Sequence, residues 1–264
     1  MSLSPISDFV LVMDVGNTNI VCAVYQNGKI TWQDRISSLE NHTAEDFYKI
    51  VNDSMLGCKF EDLKYVVMGS VVPKVGQTLQ HMVEDHSNAR LFNINGLSPL
   101  GLRINSLNPD KVGADLVANA FATWQKYHQN AIVIDLGTAT TIQLVTADGL
   151  YQGVAILPGL KTAAQNLFLS AAQLDEIALI PPKSTLGNNT IDAMTSGIVL
   201  GHALMIEGFI DRIIRENSDL DPLKVLLTGG LAGLIKDLIH HDAILDSQLT
   251  TDGLYLALLK LIGD

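Results

Sequence analysis

The feature that most constrains the fold is an internal repeat of a strand, a polar turn and a second strand. The first copy is FVLVMDVGNTNIVCAVYQNGKI, residues 9–30, and the second is AIVIDLGTATTIQLVTADGLYQG, residues 131–153. In each copy an apolar strand ends in Asp-x-Gly and small hydroxyl or amide residues follow. A second apolar strand then closes with a hairpin signal, Asn27-Gly28 or Asp148-Gly149. This repeat predicts two similar lobes, each with an antiparallel hairpin at its head.

Helical and strand patterns alternate after each hairpin, which predicts an α/β fold with mixed sheets. In the first half, Thr43 is a candidate N-cap for a helix that precedes the buried-type strand KYVVMGSVV at 64–72. In the second half, a long apolar-faced helix at 193–217 precedes the strand KVLLTGG at 224–230. We predict an N-terminal lobe over 1–118 and a C-terminal lobe over 119–264. The C-terminal helix is a candidate to pack back on the first lobe.

Composition and charge narrow the class of protein. The net charge of −11 argues against a nucleic-acid partner held by phosphate contacts. No apolar run reaches the ~18 residues that a membrane-spanning helix needs, so no membrane partner is expected. The N-terminal residues lack the basic segment of a signal peptide. Cys22 and Cys58 are too few for a disulfide framework, and we expect ordinary thiols in a cytoplasmic protein.

Two polar turns and a glycine pair are candidates for holding a nucleotide. In DVGNTN, residues 14–19, Gly16 permits a tight turn whose N–H groups could hold phosphate, and Asp14 could hold magnesium through its waters. A plain hairpin explains this turn equally well when it is taken alone. DLGTATT, residues 135–141, repeats the chemistry, and a pair of such turns favours a nucleotide triphosphate. Gly229-Gly230 would let a ring or ribose lie against bare backbone. Walker A and Gly-x-Gly-x-x-Gly patterns are absent.

A single carboxylate, Asp115, lies in VGADLVANA, residues 112–120. It sits at the start of a predicted apolar helix, where a carboxylate favours the free N–H groups. It also suits a general base that accepts a proton from an alcohol. The two roles are compatible.

Six motifs in this order resemble type III pantothenate kinase, a family of the acetate kinase, sugar kinase, Hsp70 and actin superfamily. The resemblance covers nearly the whole chain and is carried by DVGNTNIV, NPDKVGAD, DLGTATT, LPGL, LGNNTIDAMTSGIVLG and LLTGGLA. It implies two ribonuclease H-like lobes with mixed sheets facing a nucleotide cleft. It also implies ATP-dependent phosphorylation of pantothenate to 4'-phosphopantothenate, the first step of coenzyme A biosynthesis, with Mg²⁺ accompanying ATP, in a homodimer.

The resemblance also assigns roles to residues. Asp115 would be the proton acceptor, and Asp135 would coordinate a monovalent cation, K⁺ or NH₄⁺. The acceptor-binding positions would be Ser106, Gly113, Ala114, Asp115, Leu116 and Thr190. The ATP-binding positions would be Asp14, Val15, Gly16, Asn17, Thr18, Asn19, Ile20, Val21 and Thr138, together with Gly229 and Gly230 from the glycine pair.

The acceptor half departs from the family pattern. Leu116 stands where the family has an arginine, whose planar fork suits a substrate carboxylate. Ser106 stands where the family has a tyrosine, and Ala23 and Val154 replace two glycines. Three hypotheses follow. Pantothenate is held by other groups, such as Lys161, Arg103 or a partner subunit's residue; or the acceptor is a different small alcohol; or the chain is a catalytically weak or regulatory nucleotide-binding paralogue.

Four further polar residues have structural interpretations. His202, in an apolar helix, is expected to be a buried histidine with a hydrogen-bond partner. His240-His241 is expected to be a solvated helix end rather than a metal pair, because adjacent helical residues point apart. Glu207 is expected to serve a surface or interface role. The apolar long helix suits a dimer interface.

Overall fold

The computed structural model describes residues 3–170 and 177–263. The chain forms two α/β units, one made of Met1–Tyr127 with Gln248–Asp264 and the other of His128–Ser247. The mixed α/β class with two sheets confirms the predicted fold class. Residues 119–127 and 248–264 lie in the first unit, whereas the predicted lobe boundary places them in the second. The reason is that the two helices they belong to share one apolar core with the first sheet.

The regular elements alternate along the chain much as the sequence predicts. The strands are β1 (Phe9–Val15), β2 (Asn19–Gln26), β3 (Lys29–Ser37), β4 (Leu63–Ser70), β5 (Arg90–Ile94), β6 (Arg103–Ile104), β7 (Ala131–Leu136), β8 (Ala139–Val145), β9 (Leu150–Pro158), β10 (Lys224–Thr228) and β11 (Ala243–Leu245). The helices are α1 (Ala44–Ser54), α2 (Pro73–His86), α3 (Ala114–Tyr127), α4 (Leu160–Ser170), α5 (Thr190–Thr195), α6 (Gly201–Glu216), α7 (Ala232–Lys236) and α8 (Leu249–Gly263).

The sheet of the first unit has the strand order β3-β2-β1-β4-β5. β1 and β2 are antiparallel, as are β2 and β3, whereas β1 and β4 run parallel, as do β4 and β5. Alternate residues of β1 point to opposite faces, and both faces are covered. Leu11 and Met13 lie in a core with α1 and α2, while Val10 and Val12 lie in a core with α3 and α8. The central strand is therefore apolar on both sides and ends in the polar turn.

The second unit repeats this order of strands. β11-β10-β7-β8-β9 are neighbours, with β7, β8 and β9 antiparallel and β7, β10 and β11 parallel. Its apolar core lies on the sheet face formed by residues such as Ile134, Ile142 and Leu144, against Ala203 and Ile206 of α6. The repeat read from the sequence is thus a repeat of sheet topology.

Two local signals in the sequence are confirmed. Thr43 is the N-cap of α1, and it forms a capping box with Asp46. Asn27 and Gly28 have φ of 52° and 75°, as a two-residue hairpin turn requires.

The long helix of the second unit runs continuously over Thr190–Glu216 and includes a π-helical segment at Ser196–Leu200. By length and composition it could cross a membrane. Its buried residues Val199, Ala203, Ile206 and Ile210 pack in the core of the second unit, as expected of a core helix.

Candidate active site

The first polar turn joins β1 to β2 and presents polar groups at the end of the sheet. The Gly16 N–H donates to the Asn19 carbonyl at 3.0 Å, and a Cβ on residue 16 would lie 3.1 Å from that oxygen. Asn17 is exposed, whereas the side chains of Val15 and Ile20 are fully buried in the core. Of the predicted ATP-binding stretch 14–21, the turn backbone and its amide and hydroxyl side chains are therefore the groups that face outward.

Parallel pairing of β1 with β4 places Asp14 beside Gly69. A Cβ on Gly69 would lie 3.2 Å from the Cβ of Ala114, the first residue of α3. Gly69 thus lets the start of α3 approach the sheet next to the strand end that carries Asp14.

A second contact brings the same helix start to the first turn. The Val71 N–H donates to the Val15 carbonyl at 3.0 Å, which continues the β1–β4 pairing beyond the strand. The Cγ1 of Val71 lies 3.5 Å from where a Cβ on Gly113 would be. Asp115 therefore lies at the edge of the sheet where β1 ends in the polar turn, although about 100 residues separate the two in sequence.

Asp115 is the second residue of α3, and its carboxylate turns back onto the helix start. Its Oδ1 accepts the Leu116 N–H at 2.8 Å. Burial raises the pKa of the Asp115 carboxyl, and hydrogen bonds from the N–H groups of Leu116 and of Asp115 itself oppose that rise. The side chain therefore binds free N–H groups of the helix start and is, at the same time, a desolvated carboxylate with increased proton affinity.

The other predicted acceptor-binding residues of the first unit differ in exposure. Ala114 and Leu116 are buried, with 4% and 7% of their surface exposed. Ser106 is exposed, and its Oγ accepts the Asn108 N–H at 3.2 Å in the loop before α3. Leu116 is therefore a buried apolar side chain at the position of the family's arginine, and Ser106 is engaged in its own loop.

The second polar turn joins β7 to β8, and its backbone is held by neighbouring elements. The Gly137 N–H donates to the Ala139 carbonyl at 3.1 Å. The Thr138 carbonyl accepts the Gly159 N–H at 3.2 Å and the Thr162 hydroxyl at 2.8 Å. A Cβ on Gly159 would overlap the carbonyl oxygens of Thr138 and Gly137. The Leu-Pro-Gly-Leu motif therefore serves as a backbone support for this turn, a role the sequence does not state.

The glycine pair after β10 lies against Asp135. Gly229 has φ of 91°, and a Cβ there would lie 2.6 Å from Asp135 Oδ1 and from the Leu136 nitrogen. Gly230 is exposed. Only a residue without a side chain allows the backbone after β10 to approach the carboxylate this closely.

Buried polar atoms share the sheet face of Asp135. Thr141 is paired with Asp135 across β7 and β8, and Gln143 lies two residues further along the same face. The Thr141 hydroxyl and both polar atoms of the Gln143 amide are buried without a hydrogen-bond partner. Carboxylate, hydroxyl and amide oxygens are ligands that hard cations take. The chemistry beside Asp135 therefore fits the predicted monovalent cation.

Thr190, the predicted acceptor contact in the second unit, lies at the start of α5. Its neighbour Asn189 is the N-cap and accepts the Asp192 N–H at 2.9 Å. Thr190 is exposed and lines an open cavity of about 760 Å³. The cavity walls combine amide and hydroxyl groups of one loop with apolar side chains: Leu167, Gly187, Asn188, Asn189, Thr190, Ala193, Met194, Gly197 and Ile198.

The structure confirms the interpretation of His202 and the solvated position of His240, but not the predicted helix end at His240-His241. His202 is buried and its Nε2 lies 2.9 Å from the Thr140 hydroxyl, which confirms a buried histidine with a partner. His240 and His241 lie in a bend beyond α7, not at a helix end. The His240 backbone N–H donates to Glu207, and the His241 ring lies 2.9 Å from Asp211, so both residues fasten that bend to α6. Across residues 3–170 and 177–263, no group of three or more His, Cys, Asp or Glu side chains could hold a metal ion.

Solved structures share this fold at low sequence identity. A protein described as a Baf family transcriptional activator from Campylobacter jejuni is 18% identical, with a TM-score of 0.61 over 96% of this chain and 100% of its own. A ROK family glucokinase from Streptomyces griseus, in complex with glucose and AMPPNP, is 15% identical, with a TM-score of 0.51 over 94% of this chain and 97% of its own. MreB 5 of Spiroplasma citri, bound to AMPPNP, is 9% identical, with a TM-score of 0.51 over 98% and 96%. At these identities the likeness establishes the two-lobed actin and sugar kinase fold.

The family is established by sequence. Residues 10–212, more than half of the chain, match the family described as type III pantothenate kinase. The matched range contains both polar turns, Asp115 and Thr190. The chain therefore belongs to the type III pantothenate kinase family.

Proposed function

We propose that Asp115 is the general base of this kinase and that the two polar turns hold ATP. Kinases of this family use ATP to phosphorylate pantothenate in coenzyme A biosynthesis, and the chain is such a phosphotransferase. The observation that carries the assignment of Asp115 is the contact of the α3 start with the end of β1 and β4, through Gly69 and Val71.

Transfer of the γ-phosphoryl group has a loose transition state, so a kinase works mainly by positioning groups and stabilising charge. The turn after β1 supports phosphate binding, because Asn17 is exposed in this tight turn and its side-chain amide is a short donor without bulk. A carboxylate at the same sheet edge would meet an alcohol placed next to that phosphate. Asp115 would accept the proton of the pantothenate primary hydroxyl as its oxygen attacks the γ-phosphorus.

The environment of Asp115 suits this task. Burial raises the pKa of its carboxyl, which increases its affinity for the proton of an acceptor hydroxyl. The hydrogen bond from the Leu116 N–H fixes one carboxylate oxygen. The second oxygen would face the acceptor hydroxyl.

A divalent metal accompanies ATP in this kinase family. Mg²⁺ is usually held by one or two carboxylates, several waters and the substrate phosphates, rather than by a cage of protein ligands. Asp14 fits as the protein carboxylate, because it is the penultimate residue of β1, next to the turn. Thr138, Gly229 and Gly230 would contact the nucleotide from the second unit.

We further propose a monovalent cation, K⁺ or NH₄⁺, at Asp135. The partnerless hydroxyl of Thr141 on the same sheet face supports it, because buried polar atoms normally have a partner. Replacing K⁺ by Na⁺ is expected to lower the activity of the native enzyme. Asp135→Asn is expected to remove that difference; an Asp135→Asn enzyme that still distinguishes K⁺ from Na⁺ would place the cation elsewhere.

Ser106, Gly113, Ala114, Leu116 and Thr190 are proposed as acceptor-binding residues. A second candidate function is supported by the buried Leu116, because a leucine cannot form an ion pair with the pantothenate carboxylate. Lys161 and Arg103 are exposed cations that could replace the arginine of the family. A different small alcohol as acceptor, or a weakly active regulatory paralogue, are the alternatives.

A homodimer in the cytoplasm is proposed as the working form. Apolar side chains on α4 and the long helix support it, since Leu169, Ile191 and Leu204 are 77%, 55% and 52% exposed.

One assay separates the candidate functions. The protein is incubated with ATP, Mg²⁺, K⁺ and pantothenate, and phosphopantothenate is measured by mass spectrometry. We expect turnover that Asp115→Asn lowers by a factor of about 10²–10⁴, the usual contribution of a general base. Turnover that survives Asp115→Asn would refute the base assignment. ATP binding without product from pantothenate, but with product from another alcohol, would identify a different acceptor; no product from any alcohol would identify the regulatory paralogue.

A further inference from the structure

A buried hydrogen bond joins the second polar turn to the long helix of the second unit. The Thr140 hydroxyl lies 2.9 Å from His202 Nε2, and 62 residues separate the two in sequence. Thr140 is fully buried and His202 is 6% exposed. The imidazole is a polar group among the apolar residues Val199, Ala203 and Ile206 of the same helix face. Packing alone does not explain a histidine at this position.

Thr140 is two residues from Thr138, the turn residue proposed to contact ATP. The backbone of Thr138 is also held by the Gly159 N–H and the Thr162 hydroxyl. The second polar turn thus has two supports, one at the start of α4 and one from α6. Removal of either support would leave the position of the Thr138 side chain less well defined.

The N-terminal part of the same helix lines the cavity that contains Thr190. His202 follows the π-helical segment Ser196–Leu200, and Gly197 and Ile198 of that segment line the cavity too. π-Helical turns are rare and are often found at functional sites. The helix therefore connects a cavity proposed for the acceptor with a turn proposed for the nucleotide, over about 18 Å at 1.5 Å per residue.

We propose that His202 is a positioning residue that fixes the second nucleotide-binding turn through the hydroxyl of Thr140. The inference rests on the proposed contact of Thr138 with ATP. Burial lowers the pKa of the His202 imidazole and so favours the neutral ring, whose Nε2 accepts from or donates to the Thr140 hydroxyl according to the tautomer. Removal of either group would leave the other buried without a hydrogen-bond partner, and the cost of that unpaired group would favour a rearrangement of the turn.

The test compares nucleotide binding with acceptor binding in matched variants of the full chain. Thr140→Val removes the hydroxyl at nearly constant volume, and Thr140→Ser keeps it. His202→Phe removes the ring nitrogens, and His202→Gln keeps a group that can bond the hydroxyl. For each variant, the Kd of AMPPNP is measured by calorimetry and the KM values of ATP and pantothenate by kinetics. Thermal unfolding followed by circular dichroism shows which variants are folded.

We expect Thr140→Val and His202→Phe each to weaken AMPPNP binding and to raise the KM of ATP by about fivefold to thirtyfold, the range of one lost buried interaction. The KM of pantothenate should stay within about twofold, and the double variant should be no worse than either single one. Thr140→Ser and His202→Gln should retain most of the native affinity. If His202→Phe does not fold, the test is the AMPPNP affinity of Thr140→Val compared with that of Thr140→Ser.

Two results would overturn the inference: unchanged AMPPNP affinity in folded Thr140→Val, or additive losses in the double variant. Thr138→Ala separates this failure from that of the underlying proposal. If Thr138→Ala weakens AMPPNP binding and Thr140→Val does not, the turn binds ATP without help from His202. If Thr138→Ala also has no effect, the turn is not a nucleotide contact.

Discussion

Gly113 and Asp115 fit together so closely that a Cβ on Gly113 would lie 2.5 Å from Asp115 Oδ1. The carboxylate occupies the space that a side chain at residue 113 would need. Real Cβ atoms do not approach an oxygen this closely, so any other residue at 113 must displace the carboxylate or the helix start. This is the physical reason for the glycine two positions before the proposed base.

Gly113→Ala is expected to lower kcat by about 10- to 100-fold, because a shift of 1 Å at a catalytic group can cost that much. AMPPNP affinity should change little, since the first polar turn is untouched. Gly208→Ala is the control: Gly208 is an exposed residue of α6 with no atom within 4 Å of its Cβ position, and alanine favours the helix there. Native kcat in Gly113→Ala would show that Asp115 is not held by this contact.

The raised pKa of Asp115 predicts the acidic limb of the pH profile. The base works only when ionised, so kcat/KM should fall as the pH drops through the pKa of Asp115. Burial places that pKa above the ordinary value of 3.8, so the fall should begin at a higher pH than for an exposed aspartate. Steady-state rates across the acidic range, with circular dichroism at each pH, separate titration from unfolding. If the acidic limb of kcat/KM had the pKa of an exposed aspartate, the result would contradict the effect of burial on Asp115.

Asp252 links α8 to the rest of the first unit. Its two oxygens accept the Tyr25 hydroxyl at 2.7 Å and the Lys126 ammonium at 2.6 Å, and Tyr25 stacks on Tyr255 at 4.4 Å. Asp252→Ala would leave two partly buried donors without this partner, which should lower the free energy of unfolding by about 1–3 kcal/mol.

Urea unfolding at neutral pH measures this loss. Asp85→Ala, an exposed residue on α2, serves as the control and should stay within about 0.5 kcal/mol of the native protein. Equal stabilities of Asp252→Ala and Asp85→Ala would mean that the network contributes nothing to the attachment of α8.

Gly159→Ala tests the support of the second turn. The added Cβ would overlap the carbonyl oxygens of Thr138 and Gly137, so the turn must move. We expect the KM of ATP to rise by about tenfold or more, because these main-chain carbonyl groups cannot move aside as the end of a flexible side chain can. Gly233→Ala in α7, where a Cβ has no atom within 4 Å, is the matched control. A folded Gly159→Ala enzyme with native ATP kinetics would exclude the turn from nucleotide binding.

Many local features were predictable because they depend on neighbouring residues. The Thr43 cap, the Asn27-Gly28 hairpin and the repeated Asp-x-Gly turns each follow from side-chain chemistry within a few positions. The order of six motifs predicted the family, which the match over residues 10–212 confirms. The expected packing of the C-terminal helix on the first lobe is confirmed, because α8 shares an apolar core with α3 and the first sheet. The boundary between the units was less predictable, because all of α3 joins the first unit through contacts far apart in sequence.

The residues that hold the second polar turn in place could not be predicted from the motifs alone. Gly159 and Thr162 hold the Thr138 carbonyl, and His202 contacts Thr140, yet no local pattern pairs residues that far apart. A polar residue on an apolar helix face was the one available signal for His202. The sequence likewise predicted a solvated helix end at His240-His241, where the structure has a bend tied to α6.

The sequence by itself determined the class of fold, the two polar turns, the family and the candidate base. These features depend on strand periodicity, turn chemistry and motif order, which are patterns of the linear sequence. The tertiary structure decided where the candidate base lies. Parallel pairing of β1 with β4 and the close approach of Ala114 to Gly69 bring Asp115 to the edge that carries Asp14. Such a juxtaposition depends on how helices pack against a sheet, which is a property of side-chain shape across the whole core rather than of any one segment.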